Sequence, residues 1–330
     1  MRKTLLLLGC SALTILLLGA GGLLRSSAAE QGEHAQHENP TNAVYHWKTI
    51  FNPTVEELAF LETHNVGRLY IRMFDIGCAH DYAYDKVMPA PIATTRFDAP
   101  IPAGVEVVPV TYITLDALRL MEGREHEYAH TIVDRMVAMM SYNECGEMGE
   151  VQFDCDWTGS TEGVFFALCH YANAYLDEMG VDLSITVRLH QLNNCDVPEA
   201  DRGVLMLYNT GAIKSPETRN SILDIADVKP YLRGDSYAIP LDYAYPTFGW
   251  GVKFRDGIFH SLVSDPATAT LAEGETMREE RASIDEILTV KRWVEESQGA
   301  PYQCNIVYHL DNEELKNYTY DEISEIFSRN

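Results

Sequence analysis

Glu150-Val-Gln-Phe-Asp-Cys-Asp-Trp-Thr158 is the stretch whose reading decides the fold. Read as a strand, its side chains alternate. Val151, Phe153 and Cys155 fall on one face, and Gln152, Asp154 and Asp156 on the other. Three polar side chains on one face are costly to bury without partners. The pattern predicts a short buried strand whose polar face opens onto a cleft.

Working outward, strand-like and helix-like segments alternate along the rest of the chain. Strands are expected at residues 44–49, 68–75 and 105–113 before this segment. After it they are expected at 183–190, 204–209, 238–245 and 305–310. Between them, Thr54 with Glu57 three residues on reads as a helix start. Residues 161–179 place Phe165, Leu168, Cys169, Ala172 and Leu176 at helical spacing. Further helices are expected at 125–140, 221–228, 284–296 and 320–327, and a hairpin at 250–263 turning on Arg255-Asp-Gly257. Strands alternating with helices in this number predict a single (β/α)8 barrel over residues 42–330, with a small β-hairpin inserted after strand seven. A doubly wound open sheet is the competing architecture.

In such a barrel, function lies at the C-terminal ends of the strands. The residues expected there include Trp47, Lys48, Arg72, Asp75, Thr111, Asp154, Asp156, Arg188, His190, Tyr208, Asn209, Asp242, Tyr245, His309 and Asp311. Carboxylates, aromatic rings and hydrogen-bonding groups are the mixture a sugar needs, with faces to stack on and hydroxyls to bond. Structural roles compete for the same residues. Arg72 can simply neutralise Asp75 or Asp154, His190 can be a core histidine, and Tyr208 can be barrel packing.

The chain has 330 residues, 46% of them hydrophobic, and a formal net charge of −24. A sizeable core is available, and a surface this acidic disfavours nucleic acid and anionic membranes as partners. A carbohydrate or another small neutral ligand fits better. Residues 1–29 combine Arg2 and Lys3, a long uncharged apolar run and small residues ending in Ala28 and Ala29, as an export signal or membrane anchor does. Leu7-Leu-Gly-Cys10 resembles a lipoprotein cleavage box, so contact with a membrane is expected only through this segment. Residues 30–41 read as a polar tether. The protein is expected to be exported, to the periplasm or beyond. Cys78, Cys145, Cys155, Cys169, Cys195 and Cys304 form no CxxC or zinc pattern. Cys155 and Cys169 read as packed free thiols, whereas Cys78, Cys145 and Cys195 fall in expected loops where a bridge is open to them. Nothing in the sequence calls for a cofactor.

Phe153-Asp-Cys-Asp156 on the fourth strand, taken with Met206-Leu-Tyr-Asn209 on the sixth, resembles glycoside hydrolase family 18, the chitinase-like barrels. That family carries D-x-x-D-x-D-x-E on strand four and M-x-Y-D or M-x-Y-N on strand six. The resemblance implies that Asp154 and Asp156 match the second and third aspartates, that Met206, Tyr208 and Asn209 match the other motif, and that Trp250 stands for the tryptophan flooring the sugar site. Two positions depart from it. Val151 replaces the first aspartate, and Thr158 stands where the proton-donating glutamate belongs. The segment is also similar to a group of secreted bacterial proteins that share a DCDWT strand.

Three functions follow as alternatives. A glycoside hydrolase would use Asp156 as general acid, held protonated by Asp154, with Asp242 from strand seven as nucleophile or base. Trp47, Arg72, Arg188, His190, Tyr208, Asn209 and Trp250 would then bind substrate. A glycan-binding barrel without catalysis would keep the cleft and lack the acid. Metal-dependent chemistry would draw on Asp154, Asp156 and His190.

Overall fold

In a computed structural model of the protein, residues 41–329 are described apart from residues 84, 195 and 233–235. Residues 1–40, where an export signal or anchor and a tether are expected, and Cys195 lie outside the described residues. Among the described residues, eight parallel strands close into a barrel with helices between them. They are β1 (Asn42–His46), β2 (Val66–Asp81), β3 (Glu106–Ile113), β4 (Glu150–Asp154), β5 (Asp182–Arg188), β6 (Arg202–Met206), β7 (Leu241–Pro246) and β8 (Asn305–Tyr308). Each pairs with its neighbour in chain order, and β1 pairs with both β2 and β8, Ala43 lying beside Arg68 and Ile306. This is the (β/α)8 architecture; the open sheet is ruled out by the closing β1–β8 pairs.

The alternation on β4 is realised in the packing. Val151, Phe153, Cys155 and Trp157 face the helix layer, where Trp157 stacks on Phe165 at 6.0 Å and meets Phe166 edge-on at 5.1 Å. Glu150, Gln152 and Asp154 face the barrel axis and are fully or almost fully buried. Each has a partner on another strand. Glu150 pairs with Arg202 of β6 and lies 3.8 Å from Arg68 of β2. Those arginines also hold Asp182 and Glu106, each at 2.9 Å. Gln152 accepts from the Tyr45 hydroxyl at 2.6 Å and donates to Ser184 at 3.1 Å. The barrel axis thus carries a polar column whose β4 members each find a partner on another strand, while Glu150 Oε1 and Arg202 Nε stay buried without a hydrogen bond.

The helix over residues 55–63 begins with the expected capping box of Thr54 and Glu57. Glu57 also ties the barrel seam. Its Oε1 accepts from Lys48 at 2.9 Å and from the backbone N–H of Asn312 at 3.2 Å, while Lys48 reaches Asp311 at 3.2 Å. The loops that follow the first and last strands are therefore joined by one carboxylate and one ammonium.

Several elements differ from expectation. β2 runs on to Asp81 and folds back through an antiparallel strand, Lys86–Ile92, that Pro89 and Pro91 had hidden. A short helix, Leu115–Leu120, precedes the expected one. The inserted hairpin turns at Asp256 and Gly257, both with positive φ as an Asp-Gly turn requires. It gains a third strand, so Ile258–Val263, Gly249–Arg255 and Glu275–Arg281 form a small antiparallel sheet in that order. Cys145 lies in a loop, as expected, and is buried there, whereas Cys78 lies on β2 and is exposed; both are free thiols, as are Cys155, Cys169 and Cys304. Among the described residues no helix is long and apolar enough to cross a membrane.

Asp242 is the main correction. Its strand starts at Leu241, so Asp242 is the second residue of β7 and not its end. Its Oδ1 accepts the backbone N–H groups of Gln303 at 2.6 Å and Cys304 at 2.9 Å, just before β8. Its charged neighbours are Arg202 and Glu150, at the start of the polar column. It therefore sits in the N-terminal half of the barrel and cannot face Asp156 across the mouth as a nucleophile or base.

Two stability predictions follow. Arg202→Met leaves Glu150 fully buried with only the longer Arg68 contact, and removing one partner of a buried pair costs about 3–5 kcal/mol. A urea denaturation midpoint unchanged by this substitution would contradict the account of the column. Burial pushes the Asp242 carboxyl up to about 6, against the pull of the two N–H donors. Its value in the unfolded chain is about 3.9. The group therefore favours the folded state at low pH and loses that contribution as pH rises from about 4 to about 6. Asp242→Asn should gain on the natural protein by roughly 3 kcal/mol between pH 4 and pH 7, read as the difference between two stability–pH curves. Parallel curves would contradict the burial.

Candidate functional site

The C-terminal end of β4 carries the polar column to the surface. Asp154 is 3% exposed, and its Oδ1 accepts from the Thr186 hydroxyl at 2.5 Å and from Arg188 at 3.1 Å. Burial raises the Asp154 carboxyl above its ordinary range, opposed by the Arg188 guanidinium and the Thr186 hydroxyl. Asp156, two residues on, is the more accessible of the two, with a side chain 45% exposed. The same guanidinium holds it through Arg188 Nε, and the Tyr112 hydroxyl lies 3.4 Å from its other oxygen. One arginine thus spans both strand-four aspartates, and its face lies 6.0 Å from the centre of the Tyr208 ring. Burial and the Asp156 charge raise the Tyr112 hydroxyl well above its ordinary value, so it stays protonated at any ordinary pH.

Thr158 does not reach into this cluster. Its backbone N–H is bound by Thr161 Oγ1 at 3.0 Å and its hydroxyl lies 3.1 Å from that of Ser160. Beyond the strand the chain has already turned into the helix that starts at Glu162.

A second pair sits beside the first. Arg72 binds Asp75 through Nε and Nη2, with Nε–Oδ1 at 2.6 Å. Its guanidinium lies 5.6 Å from the Trp47 ring centre and donates to the Trp47 carbonyl. The neutralising role considered for Arg72 is the one it performs, toward Asp75.

Tyr208 leads from these charges into a cleft of about 590 Å³. Its ring packs at 4.6 Å on Tyr308 and edge-on against Phe248 at 5.8 Å, and Phe248 packs on Trp250 at 5.2 Å. Tyr308 is the hub, touching the rings of Tyr45, Trp47, Tyr208 and Phe248. Asn209, His309, Asp311 and Glu313 add polar edges to the lining. Burial lowers His309 to about 4, so its imidazole is neutral at physiological pH. Trp250 Nε1–H donates to Glu280 at 2.7 Å, which turns its indole into the wall of the cleft.

The expected residues therefore divide. Asp154, Asp156, Arg188 and Tyr208 meet at the mouth. Tyr208, Asn209 and Trp250 line the cleft, and Trp47 and Arg72 support it from one side. His190 is exposed in the turn after β5, and Asp242 is at the other end of the barrel. Among the described residues no three His, Cys, Asp or Glu side chains are disposed to hold a metal ion, so Asp154, Asp156 and His190 do not form the ligand set considered above. The sequence reading missed Tyr308, Phe248, Tyr112 and Glu313. An aromatic at the last position of β8 was the available signal for Tyr308.

No family model matches the chain, and no curated protein matches it by sequence. Its fold is similar to solved structures. The spore cortex-lytic enzyme SleL of Bacillus cereus is 13% identical, with 88% of this chain aligned to 75% of that one at a TM-score of 0.55. A Group IV chitinase of Ostrinia furnacalis is 10% identical, with 87% of this chain aligned to 98% of that one at 0.53. A family-18 chitinase, ChiB, of Flavobacterium johnsoniae is 10% identical over 87% and 94% of the two chains, also at 0.53. In fold, the chain's barrel is similar to those of the chitinases and the spore cortex-lytic enzyme.

Proposed function

We propose that the protein is an exported glycan-binding barrel, built on a glycosidase fold, that holds an oligosaccharide in its aromatic cleft without cleaving it. The observation that carries this reading is Arg188. The one strand-four carboxylate that reaches the mouth, Asp156, is bound by a guanidinium that also holds Asp154. Glycoside hydrolysis needs a carboxylic acid that gives up a proton to the leaving oxygen, together with a nucleophile that is either a second carboxylate or, in family-18-type enzymes, the substrate's own acetamido group. The Arg188 guanidinium occupies one oxygen of Asp156, so the group is placed as a hydrogen-bond acceptor and is not free to approach a leaving oxygen. Thr158 offers a hydroxyl far too weakly acidic to replace it. Asp242 is out of reach. Four aromatic side chains with carboxylate and amide edges remain, and they suit the apolar faces and hydroxyl rims of a sugar chain. The chitinase-like barrel of the neighbours makes chitin-type oligosaccharides the first ligands to try. Export through residues 1–29 places the protein where such polymers occur.

Calorimetric titration of a chitin pentasaccharide should show saturable binding, with no new reducing ends after prolonged incubation. Turnover by the natural protein that disappears in Asp156→Asn would overturn the reading in favour of a hydrolase. Tyr308→Ala should weaken binding at least tenfold, since aromatic contacts of this kind contribute about 0.5–1.5 kcal/mol beyond the area the ring buries. Thr158→Glu should give no release of reducing ends, because position 158 is turned toward Ser160 and Thr161 and away from the Asp154–Asp156 cluster; turnover in that variant would contradict this geometry.

A further inference from the structure

We infer that Glu280 is a positioning residue for the cleft, acting through the Trp250 indole. The inference rests on the glycan-binding reading above. Glu280 lies on the third strand of the inserted sheet, directly opposite Trp250 in the ladder. Its side chain has no exposed surface. A carboxylate so buried is costly unless its oxygens are filled. Here three donors from three segments fill them. Trp250 Nε1–H reaches Oε2 at 2.7 Å, the Ser221 hydroxyl reaches the same oxygen, and Arg278 Nε–H reaches Oε1 at 2.5 Å.

Two of those segments border the cleft. Trp250, on the inserted sheet, lines it directly, and Ser221 belongs to the loop that leaves β6 through Asn209, another lining residue. Arg278 extends the link, donating to the carbonyls of Ser215 at 2.8 Å and Ile213 at 3.1 Å in that same loop. One carboxylate therefore fixes the indole edge and anchors that loop to the strand behind it. Without it, the Trp250 ring keeps its contact with Phe248 but loses the bond that sets its tilt. A ring that stacks on a sugar depends on that tilt, because stacking falls away once the ring leaves the plane of the sugar face.

The test is a double-mutant cycle on the full chain, with chitin-pentasaccharide affinity measured by calorimetry and folding checked by circular dichroism. Trp250→Phe keeps a ring and removes the N–H donor. Glu280→Gln keeps the shape and removes one acceptor. Each should weaken affinity by about tenfold, the effect of losing one hydrogen bond to a charged group, and the double variant should be no weaker than either alone. Losses that multiply in the double variant, or natural affinity in Glu280→Gln, would overturn the inference. Should Glu280→Gln fail to fold, Trp250→Phe decides alone, and natural affinity in that variant overturns it. Unchanged affinity in Trp250→Ala has a different meaning: it removes the cleft as the glycan site, and this inference with it.

Discussion

Everything in this barrel depends on keeping the inward face of β4 satisfied. Glu150, Gln152 and Asp154 place a charge, an amide and a second carboxyl on the axis of a closed sheet, where water cannot reach them. Unpaired, such groups cost several kcal/mol each. Their partners come from β1, β2, β5 and β6, so satisfying one strand draws together half of the barrel. The column is also directional. Glu150 is held by arginines at the closed end, Gln152 by neutral hydroxyls in the middle, and Asp154 by an arginine that reaches on toward solvent. The functional mouth is the continuation of a structural necessity and not an addition to it.

That continuity explains the chemistry of the site. Arg188 has to stay near Asp154, since a buried carboxyl next to Asp156 would otherwise face an uncompensated like charge. Once there, its remaining donor falls on Asp156. The barrel thereby gains a well-defined polar floor and gives up a free carboxylic acid. The aromatic cleft next to it is assembled independently, from the ends of β6 and β8 and from the inserted sheet.

The sequence carried the parts of this that rest on local periodicity. The two-residue alternation on β4, the helical spacing from Phe165 to Leu176, the Thr54–Glu57 capping box and the Asp256–Gly257 turn are all short-range signals, and all appear in the structure. What it could not carry is register. An expected strand over residues 238–245 puts Asp242 past its middle, toward the C-terminal end. A start three residues later leaves the same residue near the opposite end of the barrel. Pairings such as Glu150 with Arg202 join distant positions through a fold that local patterns do not encode. Pro89 and Pro91 disguised a strand because proline is excluded only where a ladder needs its N–H, and an edge strand does not. His190 looked like a mouth residue by its distance from Arg188, but the chain turns before it.

The seam held by Glu57 and Lys48 bears on the order in which the molecule comes together. β1 has hydrogen-bonded neighbours on both sides, one close behind it in the chain and the other beyond Asn305. A hairpin or a βαβ unit can form from what lies nearby, but this strand keeps an open edge until β8 arrives. Its last contacts are among the most distant in the sequence, and contacts of that kind are slow to form. During synthesis, then, β1 waits with one edge unpaired while six further strands are made. The net charge of −24 meanwhile sets copies of the chain against one another, which opposes pairing of that edge between molecules.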